Sequence, residues 1–254
     1  MLRFEGKVVL VTGAGSGIGE GTARRFSAEG ATVVLVGRHK GSITAVAKDL
    51  PSERTLVKVA DVSKFRQMEA AITATVKKFG RLDVLVNNAG IFKGSTVTKT
   101  RPEEWEEVMD TNAGGVFNGC KAALPHLIRS KGCIVNTASV SGLGGDWAMS
   151  AYDASKGAVV NLTRAMAMDY AKDGVRVNAV CPSLTLTDMT KDMAKQPALM
   201  AKFKERMPLG RIAMPADIAA VIAFLASDDA RFVTGVNLPV DGGMSASNGQ
   251  PKMG

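Results

Sequence analysis

A glycine-rich turn near the beginning of the chain separates an apolar segment from a helical pattern. The turn runs from Thr12 to Gly19, and its glycines are Gly13, Gly15, Gly17 and Gly19. The apolar run Val8–Val11 before it is typical of a buried strand, and residues 20–29 after it have a helical pattern. Glycine lets the backbone approach a pyrophosphate, and the dipole of the following helix favours its negative charge. The segment therefore predicts a dinucleotide-binding α/β fold.

Short apolar runs alternate with longer helical patterns along the rest of the chain. The predicted strands are Lys7–Val11, Thr32–Val36, Leu56–Val59, Val84–Val86, Cys133–Asn136, Arg176–Val180 and Val236–Pro239. The predicted helices are Gly17–Glu29, Ser42–Leu50, Lys64–Phe79, Pro102–Ser130, Ala151–Lys172 and Pro215–Ala226. This alternation implies a parallel sheet covered by helices on both faces. We expect a single domain over residues 1–254 with a doubly wound, seven-stranded parallel sheet of the Rossmann-like type.

Two segments depart from this rhythm. Residues 182–210 contain Pro197 and Pro208 and are rich in methionine and lysine, which predicts a mobile flap with one or two short helices. The small, polar tail at 245–254 is expected to be disordered or to cross a subunit interface.

Composition limits the classes of function. The net charge is +8, but the basic residues are scattered among acidic ones and aromatic residues make up only 5%, so we expect no binding to nucleic acid. No apolar stretch approaches twenty residues, and residues 1–7 lack the apolar core of a signal peptide, so we expect no membrane association.

Cysteine and histidine usage points to a reducing compartment without a structural metal. Cys120, Cys133 and Cys181 are odd in number and form no Cys-x-x-Cys pair, which predicts free thiols in a cytoplasmic protein. The two histidines, His39 and His126, lack the close spacing of zinc ligands, so no metal site is expected.

A tyrosine and a lysine four residues apart form the second informative motif. Tyr152 and Lys156 share one face of a predicted helix, and Ser139 precedes Tyr152 by thirteen residues. A fixed ammonium group lowers the cost of ionising a phenol, whose usual pKa is about 10. The pair is therefore a candidate for general acid–base chemistry, the alternative being an ordinary half-buried aromatic residue.

The order and spacing of several motifs resemble the short-chain dehydrogenase/reductase family over nearly the whole chain. The matching pieces are Thr12–Gly19, Asp61–Val62, Asn87–Gly90, Asn112, Ser139, Tyr152 with Lys156, Pro182–Thr187 and Asp241–Gly243. The resemblance implies reversible hydride transfer between a nicotinamide ring and a carbonyl carbon. It also implies a homotetramer, because similar proteins are mostly tetramers.

The resemblance implies four catalytic residues. Tyr152 would exchange a proton with the substrate oxygen, while Lys156 would favour the ionised phenol and bind the nicotinamide ribose. Ser139 would orient the same oxygen, and the interval to Tyr152 favours it over the competing Ser141. Asn112 would hold a water molecule that relays protons, unless it is simply a polar residue satisfied within a helix.

The cofactor residues follow from the glycine turn and from the resemblance. They are Gly13, Gly15, Ser16, Gly17, Ile18, Gly19, Arg38, His39, Asp61, Val62, Asn88, Ala89, Gly90, Tyr152, Lys156, Pro182, Thr185 and Thr187. Asp61 and Val62 would hold the adenine edge, although Asp61 could instead cap the helix that follows it. Thr185 and Thr187 would hold the carboxamide, and Asn87 is expected to be structural. Ser183 replaces the glycine that similar proteins usually have after Pro182.

The end of the second predicted strand favours NADP(H) over NAD(H). In dinucleotide-binding folds an acidic residue at this position holds the ribose 2′-hydroxyl. Gly37 stands where NAD-dependent members of the family usually have aspartate, so nothing there repels a 2′-phosphate. Arg38 can pair with that phosphate through its planar guanidinium, with His39 and Lys40 adding positive charge nearby. The alternative is that Arg38 is only a solvated turn residue.

The predicted substrate pocket is apolar, which favours a small neutral ketone or secondary alcohol. Its candidate residues are Val140, Gly145, Trp147, Met149, Met189 and Phe203. Residues 134–147 and 181–184 resemble a bacterial subgroup of the family, the 2,3-butanediol dehydrogenases (acetoin/diacetyl reductases). That subgroup usually uses NAD, which the Gly37–Arg38 pair does not favour. Reduction of a 3-oxoacyl thioester remains an alternative, as does a non-catalytic NADP-binding sensor or assembly subunit.

Overall fold

The computed structural model describes residues 2–250 and contains a seven-stranded parallel sheet. Its strands are β1 (Val8–Thr12), β2 (Thr32–Gly37), β3 (Thr55–Val59), β4 (Val84–Asn87), β5 (Cys133–Thr137), β6 (Arg176–Pro182) and β7 (Asn237–Val240). The strand order is β3-β2-β1-β4-β5-β6-β7, and each neighbouring pair is parallel. The predicted fold class and all seven predicted strands are confirmed, with ends that differ by at most two residues.

Helices cover both faces of this sheet. They are α1 (Gly17–Ala28), α2 (Lys40–Lys48), α3 (Phe65–Phe79), α4 (Pro102–Met109), α5 (Gly115–Ser130), α6 (Ser150–Tyr170), α7 (Lys191–Ala194), α8 (Pro197–Arg206) and α9 (Pro215–Ala226). Alternate strand residues enter two separate buried cores. Leu10 and Val34 belong to one core, and Val9 and Val33 belong to the other. This division explains the continuous apolar runs, because a strand covered on both faces needs no polar alternation.

The predicted helix over Pro102–Ser130 is confirmed, but its geometry changes in the middle. A wider π turn at Asp110–Gly114 joins α4 to α5. Asn112 lies in this turn and is buried. Its side chain forms hydrogen bonds with the backbone of Ile91 and with the hydroxyl of Ser155. Single π turns within helices often occur at functional sites. Helical periodicity alone does not reveal such a turn, because it depends on tertiary partners.

The strand order reverses direction between β1 and β4, which both end beside the glycine turn. Open α/β sheets bind ligands at this kind of crevice, at the carboxyl ends of the strands. Asn87, at the end of β4, donates a hydrogen bond to Asn136 of β5 at 2.9 Å, so it braces the central strands as predicted. The sheet thus places the glycine turn and the segments after β4, β5 and β6 along one edge.

Segment 182–210, predicted to contain one or two short helices, contains two, α7 and α8. The three cysteines are buried free thiols, and burial raises the pKa of Cys120 to about 12. Within residues 2–250, no helix combines the length and apolar character needed to cross a membrane. The end of the predicted tail, residues 251–254, lies outside the described part of the chain.

Candidate active site

A cavity of about 430 Å³ lies at the carboxyl ends of the strands. The glycine turn forms one side, from Gly13 to Ile18, and the end of β2 extends that side to His39. Ser139, Tyr152 and Lys156 line another part of the same cavity. The fold therefore brings the two motifs, which are more than 120 residues apart in the sequence, to one site.

The glycine turn has a geometry that excludes side chains. Gly13 has a φ of +64°, and a Cβ atom there would lie 2.9 Å from Cα of Ala89. Gly17 has a φ of +54°, and a Cβ atom there would lie 2.9 Å from Cγ2 of Thr187. The turn leads directly into the N-terminus of α1. An open backbone cradle at a helix N-terminus fits the pyrophosphate of a dinucleotide.

Gly19 contributes by packing instead of by facing the cavity. It is buried and absent from the cavity wall, unlike the other turn glycines. A Cβ atom at Gly19 would overlap the carbonyl oxygen of Gly13 and lie 2.5 Å from Nδ2 of Asn88. The absence of a side chain therefore allows α1 to approach β1 closely.

Thr12 and Asn88 lock the ends of β1 and β4 together. The hydroxyl of Thr12 accepts hydrogen bonds from the backbone N–H groups of Asn88 at 2.9 Å and Ala89 at 3.1 Å. The Asn88 amide donates to the carbonyl oxygen of Thr12 at 3.1 Å. Asn88, Ala89 and Gly90 all line the cavity as expected for cofactor residues. Sequence reasoning missed Thr12, whose only signal is its polar character at the end of an apolar strand.

The cavity wall beyond the glycine turn contains Gly37, Arg38 and His39. Arg38 is exposed, and it forms no ion pair within residues 2–250. Asp61 does not line the cavity, although Val62 does. The Asp61 carboxylate accepts hydrogen bonds from the backbone N–H and the hydroxyl of Ser63 in the turn before α3. The N-cap residue of α3 is Lys64 and no side chain caps this helix, so Asp61 does not make the capping contact that was its alternative assignment. Its role toward adenine stays a prediction.

The candidate proton donor lies beside a buried lysine. Lys156 is almost fully buried, and its Nζ donates a hydrogen bond to the carbonyl oxygen of Thr137 at 2.8 Å. The same Nζ lies 5.6 Å from the ring centroid of Tyr152. The Tyr152 ring also packs edge-to-face against Phe92, with centroids 5.3 Å apart. These contacts with Lys156 and Phe92 help to hold the phenol in place.

Burial corrects the expected ionisation of this pair. Loss of solvent raises the pKa of the Tyr152 phenol, although its interaction with the Ser139 hydroxyl acts in the opposite direction. Desolvation also lowers the pKa of Lys156 from its usual value near 10.5 to about 8. The phenol of the protein alone is therefore harder to ionise than the sequence predicted, because burial removes hydration from its charged form. A lysine with a pKa of about 8 still carries its proton at neutral pH, and the effect of this ammonium on the phenol stays a prediction.

Ser139 belongs to a hydrogen-bonded series that extends to a carboxylate. Its Oγ lies 3.2 Å from the hydroxyl of Ser141, which donates to Oδ2 of Asp146 at 2.6 Å. All three residues line the cavity. Ser139 and Ser141 were weighed as alternatives in the sequence, but the structure places them in one network. Asp146 was missed, because nothing in its local sequence indicates a contact with Ser141.

Asn112 lies behind the cavity wall and does not line it. Its amide donates to the carbonyl oxygen of Ile91 at 2.9 Å and to the hydroxyl of Ser155 at 3.0 Å. A Cβ atom at Gly90 would lie 3.2 Å from Oδ1 of Asn112 and 3.6 Å from Nζ of Lys156. The polar groups of Asn112 and Lys156 therefore both face Gly90. The role of Asn112 in holding a water molecule stays a prediction.

Four of the six residues predicted for the substrate wall line the cavity and two do not, while their contact with a substrate stays a prediction. Val140, Met149, Met189 and Phe203 line the cavity, together with Thr185, Thr187 and Pro182 from the cofactor prediction. Gly145 and Trp147 do not, and Trp147 is 94% exposed. The side chains of Leu143 and Trp147 in the loop before α6 are exposed, whereas Asp146 of the same loop faces Ser141 and the cavity. Ile91 and Phe92, in the segment after Gly90, also line the cavity, although they were not named as candidates.

The buried ammonium of Lys156 should make stability depend on pH. The unfolded chain keeps a lysine protonated to about pH 10.4, whereas the folded chain loses that proton near pH 8, so the unfolded state binds more protons between these values. The free energy of unfolding should then rise with pH in this interval, relative to Lys156→Met, by about 3 kcal/mol. Urea denaturation of both proteins at several pH values measures this difference. Parallel pH profiles would contradict the assignment.

The cavity and its residues define the class of this protein as a nicotinamide-dependent oxidoreductase with a Rossmann-like fold. A family model described as enoyl-(acyl carrier protein) reductase matches residues 13–245. The chain belongs to the short-chain dehydrogenase/reductase family, as the sequence motifs predicted.

Individual relatives extend over nearly the whole chain. Meso-2,3-butanediol dehydrogenase of Serratia marcescens is 53% identical over 252 residues, which cover 99% of this chain and 100% of the relative. The crystal structure of levodione reductase has a TM-score of 0.89 and 39% identity, with coverage of 96% and 100%. A 3-ketoacyl-(acyl-carrier-protein) reductase from Brucella melitensis, solved in complex with NADH, has a TM-score of 0.88 and 38% identity, with coverage of 95% and 99%.

Proposed function

We propose that this protein is an NADP(H)-dependent oxidoreductase that interconverts a small neutral ketone and a secondary alcohol of the acetoin/diacetyl type. The observation that carries this proposal is the convergence of Ser139, Tyr152 and Lys156 on a cavity that also contains the glycine turn. The similarity to a butanediol dehydrogenase supports the choice of substrate. The apolar residues Val140, Met149 and Phe203 in the wall suit a neutral substrate.

The residues of the chain would handle the proton and the substrate oxygen. A bound nicotinamide supplies or accepts the hydride. Tyr152 donates its phenol proton to the carbonyl oxygen during reduction and accepts it back during oxidation. Ser139 donates a hydrogen bond to the same oxygen as negative charge develops there. Lys156, held by the Thr137 carbonyl, offers positive charge near the phenol, and Asn112 holds the water that returns a proton to Lys156.

The preference for NADP(H) rests on the end of β2. Gly37, Arg38 and His39 line the cavity there without a carboxylate among them. Arg38 has no intramolecular ion pair within residues 2–250, so its guanidinium is free to bind a 2′-phosphate bidentately. The Brucella melitensis reductase was solved in complex with NADH, which describes the coenzyme of that relative. Kinetic measurements with both coenzymes test the preference of this protein.

A panel of substrates and coenzymes tests the proposed function. Diacetyl, acetoin and an acetoacetyl thioester would each be offered with NADPH and with NADH, and coenzyme absorbance would be followed. We expect the highest kcat/KM with NADPH and a small diketone or hydroxyketone. A higher kcat/KM with the thioester would favour the 3-oxoacyl reductase alternative, which the similarity to the Brucella melitensis enzyme supports. Saturable NADPH binding without turnover of any carbonyl would favour a sensor or assembly subunit.

Arg38→Asp, with Gly37 retained, should invert the coenzyme preference. The variant loses a charge-assisted pair with the 2′-phosphate and places a carboxylate where it repels that group but can accept from a ribose hydroxyl. The Kd for NADPH should rise by about tenfold to hundredfold, whereas the Kd for NADH should stay equal or fall. Titration of intrinsic fluorescence measures both constants.

Lys40→Asp is the matched control for this prediction. It makes the same change of charge two residues away, on a side chain that does not line the cavity. Its effect on the ratio of the two Kd values should be much smaller than that of Arg38→Asp. Equal effects of Arg38→Asp on NADPH and NADH would remove the phosphate-binding role.

The proposal includes a cytoplasmic homotetramer. Large apolar side chains are exposed on successive helices, with Phe117 of α5 at 51% and Met168 of α6 at 82% exposure. Exposed apolar surface of this kind is suited to contact between subunits. Light scattering of the purified protein during size-exclusion chromatography measures the assembly directly.

A further inference from the structure

Thr190 joins the cavity wall to the beginning of α7. Its Oγ1 donates a hydrogen bond to the carbonyl oxygen of Thr185 at 2.6 Å and accepts one from the backbone N–H of Thr187 at 3.0 Å. The carbonyl oxygen of Thr187 is a second, longer acceptor at 3.2 Å. The two side-chain oxygens of Thr187 and Thr190 lie 3.3 Å apart. Sequence reasoning gave no role to Thr190, although it lines the same cavity.

The number of hydroxyl protons determines which threonine donates in the contact between the hydroxyl groups of Thr187 and Thr190. A threonine hydroxyl has one proton and two lone pairs. The contact from Thr190 to the Thr185 carbonyl is the shortest and needs that proton, because a carbonyl oxygen only accepts. Thr190 therefore has no proton left for Thr187. In their 3.3 Å contact Thr187 must be the donor, and its lone pairs remain available to the cavity.

Thr187 lies beside the glycine turn, where the pyrophosphate and nicotinamide of a dinucleotide are expected. A Cβ atom at Gly17 would lie 2.9 Å from Cγ2 of Thr187, so the methyl group of Thr187 packs against the glycine turn. The side chain is half-buried at the cavity wall. An oxygen held there with its proton already committed can act only as an acceptor.

We propose that Thr190 is a positioning residue, which holds Thr187 in place and orients its hydroxyl as an acceptor for the amide N–H of the nicotinamide carboxamide. This inference rests on the proposed nicotinamide cofactor. Within residues 2–250, the hydroxyl of Thr190 is the side-chain group that forms a hydrogen bond with the Thr187 hydroxyl. The orientation of the Thr187 hydroxyl therefore depends on Thr190.

A dinucleotide analogue without the amide N–H tests this role independently of turnover. In 3-acetylpyridine adenine dinucleotide phosphate a methyl group replaces the NH₂ group, so the analogue has no proton for Thr187 to accept. Calorimetric Kd values for oxidised NADP and for the analogue give a discrimination ratio. We expect the wild type to prefer the natural coenzyme by about threefold to tenfold, the contribution of one neutral hydrogen bond.

Thr190→Val should reduce this ratio to nearly one, because it keeps the side-chain shape but removes the hydroxyl. Thr190→Ser should retain the wild-type ratio, and Thr190→Ala provides a second test if valine disturbs folding. Thr100→Val is the matched control, since the Thr100 hydroxyl also donates to an earlier backbone carbonyl, that of Thr96, but lies outside the cavity. This control should leave the ratio unchanged.

The possible outcomes separate this inference from the proposed function. Absence of binding of either dinucleotide to the wild type would overturn the proposed cofactor and this inference with it. Binding without discrimination by the wild type would overturn only the acceptor role of Thr187. An equal loss of affinity for both ligands in Thr190→Val, with the ratio preserved, would show that Thr190 only stabilises the flap and would overturn the positioning role.

Discussion

Tyr152→Phe is expected to lower kcat for carbonyl reduction by about 10²- to 10⁴-fold, the usual contribution of a positioned general acid. The variant loses only the phenol oxygen. The edge-to-face contact with Phe92 and the hydrogen bond from Lys156 to Thr137 should both remain, so the affinity for the dinucleotide should change by less than about threefold. Because burial raises the pKa of the phenol, it is protonated at neutral pH and suited to donate during reduction.

The comparison needs both turnover and binding measurements on the same preparations. Stopped-flow absorbance gives the rate of hydride transfer, and calorimetry gives the Kd for the dinucleotide. Tyr170→Phe is the matched control, because Tyr170 is the other tyrosine of the chain and ends the same helix, far from the cavity wall. Turnover within a few-fold of the wild type in Tyr152→Phe would refute the proton-donor assignment.

Gly19→Ala is expected to displace the glycine turn by a clash on the side of the turn that does not face the cavity. The added Cβ atom would overlap the Gly13 carbonyl oxygen and approach Nδ2 of Asn88 within 2.5 Å, and both neighbours belong to the junction of β1 and β4. Relief requires α1 to move away from β1, which we expect to destabilise the fold by about 1–3 kcal/mol. Displacement of the turn should also weaken dinucleotide binding by roughly tenfold or more.

Thermal unfolding and calorimetry measure these two effects separately. Gly41→Ala serves as the control, because this glycine lies in α2 with no heavy atom within 4 Å of its added Cβ and without a positive φ. That variant should bind the dinucleotide normally and gain up to about 1 kcal/mol of helix stability. Normal dinucleotide affinity in Gly19→Ala would show that the close packing of α1 on β1 is not needed for the cradle.

Local patterns were sufficient for most of the architecture. The run Val8–Val11 and the glycines after it predicted β1, the turn and α1, because a strand buried on both faces and a helix N-terminus each leave a local signature. The spacing of Tyr152 and Lys156 predicted their common helix face for the same reason. The helix that contains Tyr152 and Lys156 and the glycine turn could thus be identified from the sequence, whereas only the structure shows that both line one cavity.

Long-range contacts decided the features that local patterns missed. The π turn at Asp110–Gly114 exists together with the bonds of Asn112 to Ile91 and Ser155, and no periodicity within residues 102–130 encodes those partners. The exposed position of Trp147 in the loop before α6 likewise leaves no signal in the local sequence.

The sequence by itself determined the order of elements and the parallel sheet, because these follow from hydrophobic periodicity and from glycines whose absence of a side chain is required. The family was identifiable from the resemblance of its ordered motifs. Only the tertiary structure decided the direction in which the pKa values of Tyr152 and Lys156 shift and the position of Asp146 beside Ser141. It also decided which of the Thr187 and Thr190 hydroxyl groups donates in their contact. Burial and hydrogen bonding between distant segments set these properties, and both arise only when the chain has folded.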